Sequence, residues 1–333
     1  MITSDYKPFE PAIGLRNRHF QTLFPPLFRR QKRPEVEIER FELEDGDFVE
    51  CFWHNRPNKG DNRPIATLFH GLEGSFDSPY IQGMMHALKR DGFSSVIMHF
   101  RGCSGIKNRL FRSYHSGKTD DAKAWFTHLH QHYPQNPLFA VGYSLGGNML
   151  LKLLGEQQNS SLLRAAVSIS APMQLDISAD RVNRGFSKLY QYHLMRQLKH
   201  SLLQKYQDHD MQSIIGIEPK AVKKLKNFWE FDAVYTGPVN GFSSATDYYQ
   251  KSSSKQFLKM IKRPTLIIQA LDDPFMTPQM LPKEDEISSK VQIELYPHGG
   301  HVGFVSGSFL KPRYWLEDRI IKYFKTFTGD SSC

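Results

Sequence analysis

An apolar, strand-like run, Leu138-Phe-Ala-Val-Gly-Tyr143, stops on Ser144, and a helical apolar run beginning Leu145-Gly-Gly-Asn-Met-Leu follows at once. Gly142 and Gly146 stand two residues to either side of the serine. The spacing G-x-S-x-G describes a sharp strand-to-helix turn that holds a serine hydroxyl exposed, with glycine where a Cβ would collide. By composition alone, about one chain in ten of this length would carry the pattern by accident. Its weight therefore depends on the elements around it.

Those elements alternate. Pro64–His70, Phe93–Phe100, Leu138–Tyr143, Ala165–Ala171, Thr265–Leu271 and Val291–Tyr296 read as short apolar strands. Pro79–Arg90, Asp120–His132, Leu145–Gln157 and Trp315–Phe327 carry helical periodicity. Continuous apolar strands separated by helices predict an α/β fold with a mostly parallel sheet covered on both faces. Ahead of them, Glu39–Trp53 alternates around Asp45-Gly46 and reads as a hairpin. Residues 1–38, rich in Pro and Arg, read as an irregular extension packed on the core. Residues 39–171 and 255–333 form that core. Residues 172–254 break the alternation and read as a mainly helical cap, including a basic amphipathic helix at Ser187–Tyr206 with a stripe of Leu189, Leu194, Leu198 and Leu202.

A serine nucleophile needs a base, and the base needs an orienting carboxylate. Downstream of Ser144 the strand Thr265–Leu271 runs straight into Asp272-Asp273-Pro274-Phe275, at the strand end where open α/β sheets hold their sites. The next strand runs into His298-Gly-Gly-His301-Val-Gly-Phe304, a loop flexible enough to bring an imidazole back over that edge. Separately, Asp-Asp-Pro is a common turn opener and a loop histidine is commonplace. In this order and at these strand ends, they read as a triad with Ser144. The oxyanion of an acyl-transfer intermediate needs two N–H donors. Leu145, following the serine at a helix N-terminus, supplies one. The loop His70-Gly-Leu-Glu-Gly74 supplies the other, with Leu72 as first choice and Glu73 as second.

Taken together, His70-Gly-Leu-Glu-Gly74, Met98-His-Phe-Arg-Gly-Cys-Ser-Gly105, Tyr114-His-Ser-Gly117, Gly142–Asn148, Asp272–Phe275 and His298–Phe304 resemble the AB-hydrolase type 4 family, which includes bacterial YheT-like esterases. His19-Phe-Gln-Thr-Leu and Leu43–Val49 also fit, so the resemblance spans nearly the whole chain. It implies an α/β-hydrolase fold and a Ser-Asp-His carboxylesterase without metal or organic cofactor. It favours Asp273 as the acid, with Asp272 as the alternative, and His301 as the base, leaving His298 to shape the loop. Eukaryotic relatives act on acylglycerols or phospholipids. An acylglycerol lipase or phospholipase at a membrane surface is thus the first alternative, with the leucine stripe as an apolar lid. A non-catalytic binding module on the same fold is the second.

The formal charge of +9 suits nucleic acid, anionic lipid or an acidic substrate. No nucleic-acid module accompanies the basic residues, so a solvated basic surface is expected. Cys51, Cys103 and Cys333 are odd in number and without metal spacing, and the start lacks the charge and apolar run of a secretory signal. A reduced, cytoplasmic protein acting on a small-molecule ester is the expectation. Cys103 is read as a small buried thiol. His128 and His132, one turn apart, are read as a solvated helix end rather than as metal ligands.

Overall fold

The computed structural model describes residues 7–329; Cys333 and the first six residues of the extension lie outside that range. Eight strands form one sheet in the order β1-β2-β4-β3-β5-β6-β7-β8. The hairpin expected at Asp45-Gly46 supplies β1 (Glu37–Glu42) and β2 (Phe48–His54), and β2 runs antiparallel to β4 (Ser94–Met98). From there β4, β3 (Ile65–Phe69), β5 (Leu138–Tyr143), β6 (Leu163–Ile169), β7 (Thr265–Ala270) and β8 (Val291–Tyr296) are all parallel.

Successive residues of a strand point to opposite faces, so each apolar run fills two cores at once. In β5, Leu138 and Ala140 join one core with Trp125, Phe126 and Leu129 of α3 (Asp120–His132) and the buried face of α4 (Leu145–Gln157). Phe139, Val141 and Tyr143 join the other, with Met84, Met85 and Leu88 of α2 (Pro79–Arg90) and Ile320 and Phe324 of α12 (Trp315–Lys325). Both faces are covered, which is why these strands are continuously apolar rather than alternating.

Between β6 and β7 the chain is helical: α5 (Leu175–Val182), α6 (Ser187–Asp208), α7 (Met211–Ile215), α8 (Pro219–Val222), α9 (Phe228–Phe231), a π-helical turn at Asp232–Thr236, α10 (Gly237–Val239) and α11 (Ala245–Ser252). These helices have a core of their own, built on Met195, Leu202, Phe231 and Tyr235. They are tied to the sheet domain by polar anchors. Lys205 on α6 reaches the Asn108 side chain and the carbonyls of Asn108 and Leu110, and burial pulls its ammonium down to about 8. Asn148 on α4 donates to Ser116 and Ser252 and accepts from the Ser254 N–H.

One expectation fails. The extension is not irregular throughout, because Arg18–Phe28 forms a helix, α1. Pro25 and Pro26 hide it from a propensity reading, since each removes an intrahelical donor. Tertiary contacts override them: the Asn17 side chain caps the helix through the His19 and Phe20 N–H groups, and the far side of α1 packs on the loop after β8. The hairpin β9 (Val305–Gly307) and β10 (Pro312–Tyr314) lies beside it.

Candidate active site

Three parallel strands end on one edge of the sheet, and each delivers one polar residue there. At the end of β5, Ser144 has φ 53° and ψ −119°, a conformation that costs a non-glycine residue about 1–3 kcal/mol. The turn is closed by backbone packing. A Cβ on Gly142 would lie 2.4 Å from the Gly146 carbonyl oxygen, and one on Gly146 would lie 2.6 Å from the Phe69 and His70 carbonyl oxygens. The Ser144 N–H donates to the Ile169 carbonyl at 2.8 Å, fixing the elbow to β6.

His301 Nε2 lies 2.9 Å from Ser144 Oγ, and His301 Nδ1 lies 2.9 Å from Asp273 Oδ2. Asp273 follows β7, is fully buried, and accepts the Phe275 N–H on its other oxygen at 2.8 Å. A buried carboxylate at Nδ1 keeps the ring proton there, which leaves Nε2 free to accept from the serine hydroxyl. The Phe275 ring stacks on the imidazole with centroids 4.2 Å apart. Asp272 does something else. It accepts the Gly300 N–H at 2.9 Å, faces His298 at 3.4 Å, and is pushed up from the usual carboxylate range by burial. Asp272 thus ties the His301 loop through Gly300, with His298 beside it.

The two candidate donors in the loop after β3 differ in what they meet. The Glu73 N–H is spent on the Tyr114 hydroxyl at 2.8 Å and the Gly71 N–H on the Tyr80 hydroxyl at 3.0 Å. The N–H groups of Leu72 and Leu145 meet no protein acceptor among the described residues, and both residues line the pocket that contains Ser144. His70 shapes this loop from beneath. It accepts the Phe100 N–H on Nε2 and donates from Nδ1 to the Gly71 carbonyl, and complete burial pulls its imidazole down to about 3.

Sequence reasoning missed the support of His301. The His301 N–H donates to Thr22 Oγ1 of α1 at 2.9 Å, and that hydroxyl donates to the Arg18 carbonyl. Gln21 lies fully buried, bonded to the Leu15 and Val305 carbonyls and to the Val305 N–H. A Cβ on Gly303 would meet the Gln21 carbonyl at 2.3 Å, so loop and helix touch backbone to backbone. The signal was present in His19-Phe-Gln-Thr-Leu, but nothing local said what the segment touches.

The pocket over Ser144 encloses about 950 Å³ including its open mouth, and its walls include Leu175, Leu194, Leu198, Phe228 and Tyr248. The stripe of α6 is thereby divided: Leu194, Leu198 and Leu202 line the pocket, while Leu189 stands exposed. Two carboxylates also line it. Burial raises Glu73, whose oxygens accept from Tyr114 and Ser201, and raises Asp232 to about 6 beside the Tyr249 hydroxyl. Cys103 is not among the pocket's lining residues, and burial pushes its thiol up. His128 is not a solvated helix end. It packs on Trp125 of its own helix and bonds Glu39 of β1 at 2.8 Å, a partner brought close only by the fold. Among the described residues, no group of three His, Cys, Asp or Glu comes together as a metal site.

The family model described as alpha/beta hydrolase fold matches residues 67–308. The chain belongs to the α/β-hydrolase family. This hydrolase is 42% identical to "Putative esterase YheT" of Escherichia coli (strain K12) over 98% of its own length and 95% of the relative's. It is 28% identical to "Phospholipase ABHD3" of Mus musculus over 95% of its length and 77% of that protein's. Among solved structures it resembles the Pyrococcus furiosus esterase Pf2001, with TM-score 0.56, 14% identity and coverage of 98% and 100%, a likeness of fold.

Proposed function

We propose that this hydrolase cleaves carboxylic esters by two-step acyl transfer, with Ser144 as nucleophile, His301 as general base and acid, and Asp273 as orienting carboxylate. His301 Nε2 takes the hydroxyl proton as Ser144 Oγ attacks the ester carbonyl. The Leu72 and Leu145 N–H groups stabilise the oxyanion. The alcohol leaves with the proton from His301, and water, activated by the same nitrogen, then releases the acid. The observation that carries this reading is the continuous relay of two 2.9 Å contacts, Asp273 to His301 to Ser144, at a strained elbow beside two uncommitted N–H donors. The esterase names among the relatives and solved neighbours support the ester as the class of bond cleaved.

An apolar pocket of this size suits short- to medium-chain acyl groups. The phospholipase name of a relative favours a second reading, a lipid ester. Hydrolysis of p-nitrophenyl esters of graded chain length tests both. Ser144→Ala is expected to lower kcat by about 10⁴-fold or more while leaving the fold intact. Equal rates in wild type and Ser144→Ala would sink the assignment, and a maximum at long, vesicle-borne chains would select the lipid reading. Failure of Ser144 to react with a fluorophosphonate probe would favour a binding module instead.

A further inference from the structure

Many of the exposed apolar side chains lie on α1, the β9–β10 turn and the start of α6. At the β9–β10 turn, Leu310 is 89% and Phe309 54% exposed. The Phe309 ring meets Phe28 of α1 at 5.9 Å, and Phe28 is itself 55% exposed. Phe20 and Leu27 continue the exposed apolar edge of α1. At the other end of that helix, His19 packs on Phe186 with ring centroids 4.3 Å apart, which joins α1 to the start of α6, where Leu189 and Tyr192 are also exposed. Exposed apolar side chains clustered in this way mark a site of interaction.

The segments that build this face carry charge of one sign. Residues 11–31, 183–206 and 305–313 contain no Asp or Glu. Arg16, Arg18, Arg30, Lys188, Lys311 and Arg313 are exposed there. None of these six forms an ion pair among the described residues, whereas Arg33, Arg90, Arg109 and Lys325 elsewhere on the surface each face a carboxylate. Burial, and then the neighbouring cations of Arg18 and Arg181, disfavour a positive charge on His19, against a smaller opposing pull from Asp272. Apolar side chains ringed by uncompensated cations are what an anionic lipid leaflet accepts. A second copy of the chain would set cations against cations.

The face also adjoins the site. Tyr190, in the first turns of α6, is hydrogen-bonded to His19 and packs on Phe275, the ring that covers His301. We propose that α1, the β9–β10 turn and the start of α6 form a docking surface for anionic membranes, from which the Ser144 pocket draws an amphiphilic ester. Among the described residues no helix is long and apolar enough to cross a membrane, so the attachment is peripheral. Docking stands independently of hydrolysis; the amphiphilic substrate rests on the ester-hydrolase reading.

The experiment is co-sedimentation of Ser144→Ala protein with vesicles of phosphatidylglycerol and phosphatidylcholine, and with vesicles of phosphatidylcholine alone. Binding is expected to the anionic vesicles, weakened by salt. F309E/L310E should weaken it by at least about tenfold. K311E/R313E should weaken it by a similar factor on anionic vesicles only. Neither pair lies in the catalytic machinery, so the same two pairs placed in protein that keeps Ser144 should hydrolyse a water-soluble short ester at the wild-type rate, which confirms folding. Absence of binding to either vesicle, or F309E/L310E binding like its parent, overturns the proposal. So does a dimer that L310E dissociates, which would assign the face to a second copy. Loss of soluble-ester hydrolysis in the wild type would overturn the ester reading alone.

Discussion

The elbow that carries Ser144 and the loop that carries His301 are built on opposite principles. The elbow is made from one strand, one helix and two glycines within a short stretch of chain, closed by the adjacent ends of β3 and β6. The His301 loop has little of its own. It is held by Asp272 from the preceding strand end, by Ser170 after β6 through the Val302 N–H, and by Thr22 and Gln21 from a helix near the start of the chain. A serine on a sharp turn can be written into local geometry. A histidine that must reach over the sheet edge needs remote scaffolding.

The largest test separates the two acids at that loop. Asp273→Asn is expected to lower kcat by about 10⁴-fold, because an amide no longer enforces the productive imidazole tautomer. Asp272→Asn keeps an acceptor for Gly300 and should cost less than about tenfold in kcat. Comparable losses in steady-state ester hydrolysis would erase the distinction between orienting acid and brace.

Two alanine insertions then compare the elbow and the loop directly. Gly146→Ala drives a Cβ into the Phe69 and His70 carbonyls inside the sheet edge, and a melting curve should show about 1–3 kcal/mol of destabilisation together with lost activity. Gly303→Ala meets the Gln21 carbonyl of α1, a peripheral helix that can yield. It should lose activity with the smaller shift in Tm. If both lose the same stability, the loop is as self-contained as the elbow and the comparison fails.

A subtler change removes one remote contact. Thr22→Val deletes the acceptor of the His301 N–H while keeping the side chain's volume. About a tenfold loss in kcat at constant KM is expected, with Thr22→Ser restoring the rate. An equal loss in Thr22→Ser would point to packing rather than to the hydroxyl.

The smallest effect is on pH. Burial raises Asp272 above its ordinary 3.8, so the folded protein disfavours the ionised form. The stability this contributes is fully present below 3.8 and is lost as pH rises through the raised value. Asp272→Asn should therefore raise Tm slightly at pH 7, and the gain should vanish in acid. A gain that persists below pH 3.8 would show that the carboxylate's charge is not the cause.

Much of this was legible in the chain. The parallel strands read correctly because burial on two faces demands continuous apolar runs, and Ser144, the acid pair and His301 fell at their ends. Helix α1 did not, since Pro25-Pro26 argue against a helix and its stabilising contacts are remote in sequence. The leucines of α6 announced an apolar stripe, but their periodicity carried no information about whether a pocket or solvent lay opposite.

Sequence alone determined the fold class and the elbow, because both follow from short-range periodicity and from the volume a Cβ would occupy. Only the tertiary structure decided that Asp273 rather than Asp272 faces His301, that the Leu72 N–H is uncommitted while that of Glu73 is not, and that α1 holds the His301 loop. Adjacent residues share composition and propensity; what separates them is the direction each group points once distant segments have packed.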